Sequence, residues 1–496
     1  MPMKHLGAAG FALGLSALVA CGDAPEPAHG DAGDAGPSEP VRMTREQLMN
    51  PETCSGCHPR HYREWSSSMH AYASKDPVFL AMNQRGQRET NNEMGDFCVN
   101  CHAPMAVREG LTQTGLNLAD VPQQYQGVTC YFCHTATGLE ADHNGMVTLA
   151  DDQTMRGSLR GAVDPGVHAV KYSSLHDRNR LESSTFCGSC HDVVTPKGVH
   201  LERTFVEYKQ SGFSKAGTVE TCTGCHMDES GSGAPVAVMP GRELPQRQMH
   251  EHLWPGVDVA LTDDFPDQAA QRKAVECALM NGTQAFELRA TDPVYTSFKV
   301  TLEASTVGHA QPSGTAQDRR LWLEFIAYDA QDNVLFQTGV IPDQALEELP
   351  EGDPGHDPYL NMFRDRVFDA MGKEVHMFWD AEMSPSYPTG YTSNVLPLPV
   401  MVPGRHVKEV DLVLPRDIKG QPARVTARLM MRPVGMDILN DLVASGDLAP
   451  EVLAKIPTIP LHGTNIEWKL EDGPEPVTQV MDAPLDCPEE YLKLLQ

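Results

Sequence analysis

Five times in this 496-residue chain two cysteines stand three positions apart with a histidine directly after the second. The sets are Cys54, Cys57 and His58; Cys98, Cys101 and His102; Cys130, Cys133 and His134; Cys187, Cys190 and His191; and Cys222, Cys225 and His226. A redox thiol pair or half a zinc site uses the same cysteine spacing but asks nothing of the next residue. Covalent haem attachment does ask for it: two thiols reach the vinyl groups on one porphyrin edge while the adjacent imidazole turns in to bind iron. With 13 Cys and 20 His in the chain, random placement gives about 0.014 copies of the pattern, so accident does not explain it. The expectation is five haem c groups, each held by one cysteine pair and one proximal histidine. No motif ends in Lys in place of His.

An iron that only carries electrons takes a second axial ligand. Many histidines lie outside the motifs, and residue type alone does not choose among them.

The phrases CSGCHPRHYREWSSSMHAYASKDPVF, FCVNCHAPMA, GVTCYFCHTATG and FCGSCHDVVTPKGVHLERTFVEYKQSGFSKAGTVETCTGCHM supply a further lead. They resemble segments of the multihaem cytochromes of the c-554/c-prime family, and the likeness covers most of residues 50–260. The resemblance implies distal ligands at His70, in a W-x-x-x-x-H phrase, at His176, ahead of the fourth motif, and at His252, in HLWPG. The later phrase VGHAQPSGTAQDRRLWL is similar to one in the C-terminal domain of related larger cytochromes. It implies His309 on a loop able to reach a haem edge; a loop histidine with only a hydrogen bond is the other reading. Four ligands for five irons leave the last place open among His61, His168, His200, His250, Met105, Met227 or nothing.

The elements that must position these residues come in two textures. Residues 43–260 carry all the motifs and few long apolar periodic runs, so we expect a helical, loop-rich pentahaem domain whose interior is largely porphyrin. His58 to Ala73 and Leu201 to Phe213 show helical periodicity. Residues 261–496 read as a β-sandwich-like domain: Arg319 to Val340 as two strands around a turn at Asp329 to Asn333, then strands at Lys408 to Pro415 and Ala423 to Pro433. Pro354 to Ala370 reads as partly helical. The fold class is multidomain α+β. Ten cysteines belong to the motifs, and Cys277 and Cys487 are expected to form a disulfide in an oxidising compartment.

Residues 1–20 have a basic start, an apolar run too short to span a bilayer and the plan of an export signal. Leu18 to Cys21 resembles the lipobox of bacterial lipoproteins, which implies acylation of Cys21 and a lipid-anchored protein at the periplasmic face, the outer membrane or the cell surface. Residues 21–42 read as a flexible linker. A formal charge of −28 disfavours nucleic acid and suits a redox partner with a basic docking face. Two functions remain: a membrane-surface electron carrier, or an oxidoreductase acting on a small nitrogen or sulfur compound at a haem with an open coordination position. A third role, docking of a partner by the β-domain, is compatible with the first.

Overall fold

The computed structural model describes residues 41–215, 220–227, 233–239, 241, 243–282, 284–304, 307–382, 407–478 and 487. The apolar N-terminal run, Cys21 and the linker up to residue 40 lie outside the described residues. Arg42–Gln496 forms one compact unit.

In the first half, closely spaced caps cut the chain into short helices. Thr44 and Gln47 close a capping box on Arg45–Met49, and Asn50 caps Pro51–Ser55 with Pro51 in its first turn. Asp76 accepts from the Val78 and Phe79 amides, both at 2.9 Å, at the head of Pro77–Glu89. The expected helical stretches appear as Pro59–Ser66 followed by Met69–Tyr72, and as Thr204–Gln210. Apolar packing here is thin. One cluster is built on Leu48, Met105, Tyr131 and Phe132, another on Val99, Ala106 and Leu118. Clusters of that size do not hold a domain together by themselves, and a flat hydrophobic cofactor at each cysteine pair would supply the missing interior.

From Gln268 the texture changes. Helix Gln268–Gly282 leads into strands Gln284–Ala290 and Ser297–Glu303, and Val407–Val413 completes a three-stranded antiparallel sheet with Ser297–Glu303 at its centre. The larger sheet runs Val334–Thr338, Arg320–Tyr328, Arg424–Arg432, Ile459–Lys469. Asn361–Phe363 shares the outer edge of Arg320–Tyr328. Its register sets Phe325 opposite both Thr338 and Ala427. Burial alternates along Arg424–Arg432, as the period of two requires when one face looks inward. Phe298 of the smaller sheet packs against Phe325 at 5.8 Å and edge-on against Trp468 at 5.1 Å, so the two sheets share one core. A disulfide joins Cys277, in the helix, to Cys487.

One stretch departs from the sequence reading. Where partial helix is expected, from Pro354 to Ala370, the chain forms the short strands Asn361–Phe363 and Val367–Phe368, the latter paired with Glu374–Val375. The reason is local. Gly352 and Gly355 turn the chain with φ of +97° and +95°, and the Asp369 carboxylate accepts from the Met371 and Lys373 amides at 2.9 Å each, closing a hairpin turn instead of a helical one.

Candidate functional site

Each cysteine motif folds as one helical turn. Cys54, Cys98 and Cys187 carbonyls accept from the amides of His58, His102 and His191 at 2.7, 3.2 and 3.1 Å. Thr129 and Thr221, both buried, cap the turns that begin at Cys130 and Cys222. A single turn brings residues three and four apart onto one face, so both sulfurs and the imidazole of a motif point to the same side.

The five motif imidazoles share a further property. His58 Nδ1 donates to the Val236 carbonyl at 2.7 Å, His102 to Ala73 at 3.0 Å, His134 to Arg156 at 2.5 Å and His226 to Pro255 at 3.2 Å. His191 Nδ1 bonds the Glu202 carboxylate at 3.2 Å instead. Tying Nδ1 fixes the tautomer and leaves Nε2 with its lone pair, the form and orientation in which histidine binds a metal. Burial pushes the His58, His102, His134 and His226 pKa values down, which favours the neutral, ligating ring. Burial works the same way on His191, but the Glu202 carboxylate outweighs it and lifts that pKa to about 9.

Two imidazoles on one transition metal, with bonds of about 2.0–2.1 Å, have ring centres about 6.3 Å apart. That spacing recurs. His168 stands 6.4 Å from His58, His70 stands 6.3 Å from His191, His309 stands 6.3 Å from His226, and His252 stands 6.4 Å from His134. The donor set therefore fits haem iron at four motifs with histidine on both sides. His61 is also 6.0 Å from His58, but it follows on the same helical run and so lies on the same side as the motif. The ring packed on His102 is Phe79, flat against it at 3.9 Å and 5°; among the described residues no second imidazole faces His102 at the axial spacing.

The residues expected as distal ligands are placed as follows. His70, His252 and His309 face motif imidazoles, and burial holds His70 at a pKa of about 3 and His309 at about 4. His176 stacks on His134 at 5.3 Å, but its Nε2 is bonded to the Cys133 carbonyl at 2.9 Å while its Nδ1 is buried without a partner. Of the open alternatives, His168 is the one set opposite a motif ring. His200 Nδ1 accepts from Arg203 at 2.5 Å, His250 Nδ1 donates to the Met227 carbonyl at 3.1 Å, and Met105 lies in an apolar cluster.

Three residues that the sequence does not single out hold this array. Trp254 packs edge-on against His70 at 4.5 Å and His252 at 5.2 Å, with φ of +46°, a costly conformation for a bulky residue. Its phrase, HLWPG, points to His252 and says nothing of the indole. Glu207 accepts from the Ala310 amide at 3.0 Å and the Ser313 hydroxyl at 2.6 Å, clamping the loop that carries His309. Glu202 is the third.

Motifs distant in sequence meet in space. The free thiols of Cys54 and Cys130, of Cys101 and Cys190, and of Cys187 and Cys222 lie close enough to perturb one another's titration. Asn144 and Gly145, at φ of +55° and +69°, bridge the second and fourth motifs: Asn100 donates to the Asn144 carbonyl, and the Gly145 amide donates to Ser189. A Cβ at Gly145 would come within 3.1 Å of Cys101 Sγ.

Residues 53–135 match the family described as cytochrome c554 and c-prime. The solved structure of a penta-heme cytochrome c552 from Thermochromatium tepidum is similar, with a TM-score of 0.56 and 19% identity over 85% of this chain and 99% of that one. At that identity the likeness concerns the fold. No curated protein matches the chain.

Proposed function

We propose that this chain, a multihaem c-type cytochrome with a cytochrome c554 and c-prime segment at residues 53–135, carries electrons through five covalently bound haems at a membrane surface. Bound haem supplies a one-electron Fe(III)/Fe(II) couple. The ten motif sulfurs anchor it, and His58, His102, His134, His191 and His226 present Nε2 to the metal. His168, His252, His70 and His309 would close the second axial position at the first, third, fourth and fifth motifs. The observation that carries this reading is the combination of five motif imidazoles held at Nδ1 with four further imidazoles at the axial spacing.

The chain's own part is to hold distances. Approach of the first motif to the third, the second to the fourth, and the fourth to the fifth would hold the haems bound there as near neighbours, the fourth beside two others. Acylation of Cys21 and the linker would tether the exported protein to a membrane, and the charge of −28 would draw a partner with a basic face. Mass spectrometry for five haem additions, together with electron paramagnetic resonance of the oxidised protein, tests the reading. Fewer than five additions would overturn it.

A second reading has a specific observation behind it. Among the described residues no second imidazole stands at the axial spacing from His102, whose ring is packed by Phe79, so the second motif is where a small nitrogen or sulfur compound would reach the metal. One high-spin signal among four low-spin ones, perturbed by added nitrite or hydroxylamine, would support an oxidoreductase; five low-spin signals would remove it.

A further inference from the structure

Four motif histidines donate from Nδ1 to backbone carbonyls, which are neutral; the remaining one, His191 of the fourth motif, faces a carboxylate. We propose that Glu202 is a positioning residue that sets the reduction potential at the fourth motif, holding it below the value that a carbonyl acceptor would give. The inference rests on the reading of His191 as an axial ligand.

Glu202 ends the short strand His200–Glu202, whose partner Val193–Val194 lies just beyond the motif; Val193 is paired with Glu202 in the register. The ladder thus fixes the carboxylate beside the ring it serves, and only 14% of its side chain is exposed. A carboxylate on the far nitrogen of a ligating imidazole makes that ligand more electron-rich, and so stabilises the more positive oxidation state. Nearby cations could cancel the charge. Arg319 is close enough to feel Glu202, but its guanidinium is taken up by a bidentate pair with Asp258 at 3.1 and 3.0 Å and by the Ser313 carbonyl. Arg203, the next residue, is turned to Asp192 and His200. The carboxylate therefore acts mainly on His191, and more weakly on His102, whose ring lies within its field. The fourth motif is also the one that touches two others, so its potential governs passage along both branches.

The test compares wild type, Glu202→Gln and Glu202→Asp by spectroelectrochemical titration and electron paramagnetic resonance. Peptide mass of the fourth motif in the wild type comes first: no haem on Cys187 and Cys190 would mean that the parent reading has failed. With haem present, Glu202→Gln should shift one component about tenfold toward the reduced form, about 59 mV for a one-electron couple. Its low-spin g values should change, and a second component should move less. Glu202→Asp, which keeps the charge, should restore most of the potential. All components moving together, none moving, Asp failing to restore it, or haem lost from the fourth motif in Glu202→Gln would each overturn the proposal.

Discussion

His226 and His309 stand 6.3 Å apart with ring planes only 17° from parallel, although one ends the last cysteine-bearing turn and the other sits on the loop that opens onto the β-strands. The β half thus reaches into the site of the other half. His309→Ala should keep all haem additions by mass while one low-spin signal turns high-spin. A spectrum identical to wild type would show that the pairing is not ligation.

The rings of His252 and His176 both lie 18° from parallel to that of His134, with centres 6.4 and 5.3 Å away. Only His252 has the axial spacing, and its Nδ1 donates to the His250 carbonyl at 2.9 Å, leaving Nε2 available. His252→Ala should therefore convert one signal to high-spin, whereas His176→Ala should leave the count of low-spin centres unchanged. The opposite result would give the position to His176 through its Nδ1.

Glu207 offers a pH test. Burial lifts its carboxyl to about 7 in spite of the Ser313 and Ala310 hydrogen bonds, from an ordinary value of 4.5. The folded chain then binds more protons than the unfolded one between those values, so stability falls as pH rises from about 4.5 to about 7 and is flat above. The contribution is about 3 kcal/mol. Asp318, raised by burial to about 7 against the pull of Arg320 and Arg319, has the same sign. In Glu207→Gln, whose amide oxygen can still accept both bonds, denaturant melts at pH 5 and pH 8 should differ less than in wild type by about that amount.

Gly145→Ala adds a Cβ 2.8 Å from Asn100 Nδ2 and 3.1 Å from Cys101 Sγ, at a φ of +69°. The backbone conformation alone costs about 1–2 kcal/mol, and the clash falls on a sulfur that would carry a thioether on the proposed function. Peptide mass should show reduced haem occupancy at Cys98 and Cys101, with the other motifs little changed.

The motif turns could be read from the chain because their chemistry is set within five consecutive residues. The opposed imidazoles could not. His168 stands between Gly166 and a two-stranded parallel ladder, Thr154–Gly157 with Ala169–Tyr172, and nothing in that local pattern says that it meets His58. The phrase that implies His176 fixes its place in sequence and not the direction of its ring nitrogens. Glu202 looked like any acidic residue in a short strand until the Val193 register placed it on His191. The strands Arg320–Tyr328, Val334–Thr338, Val407–Val413 and Arg424–Arg432 were legible from their alternation of apolar and polar residues, whereas Gln284–Ala290, Ser297–Glu303 and Ile459–Lys469 were not singled out. The segment from Pro354 to Ala370 was misread because its glycines and the Asp369 turn outweigh its apolar spacing.

The closeness of sulfurs from different motifs bears on the order in which the chain is made. Cys54 against Cys130, Cys101 against Cys190 and Cys187 against Cys222 would be ready-made sites for oxidative cross-linking in any chain that reached this packing with its thiols unconsumed. On the proposed function, haem attachment before collapse, while the polypeptide is still open, would avoid that cross-linking. A chain folded without haem would then be expected to carry bridges between motifs, which would block later attachment.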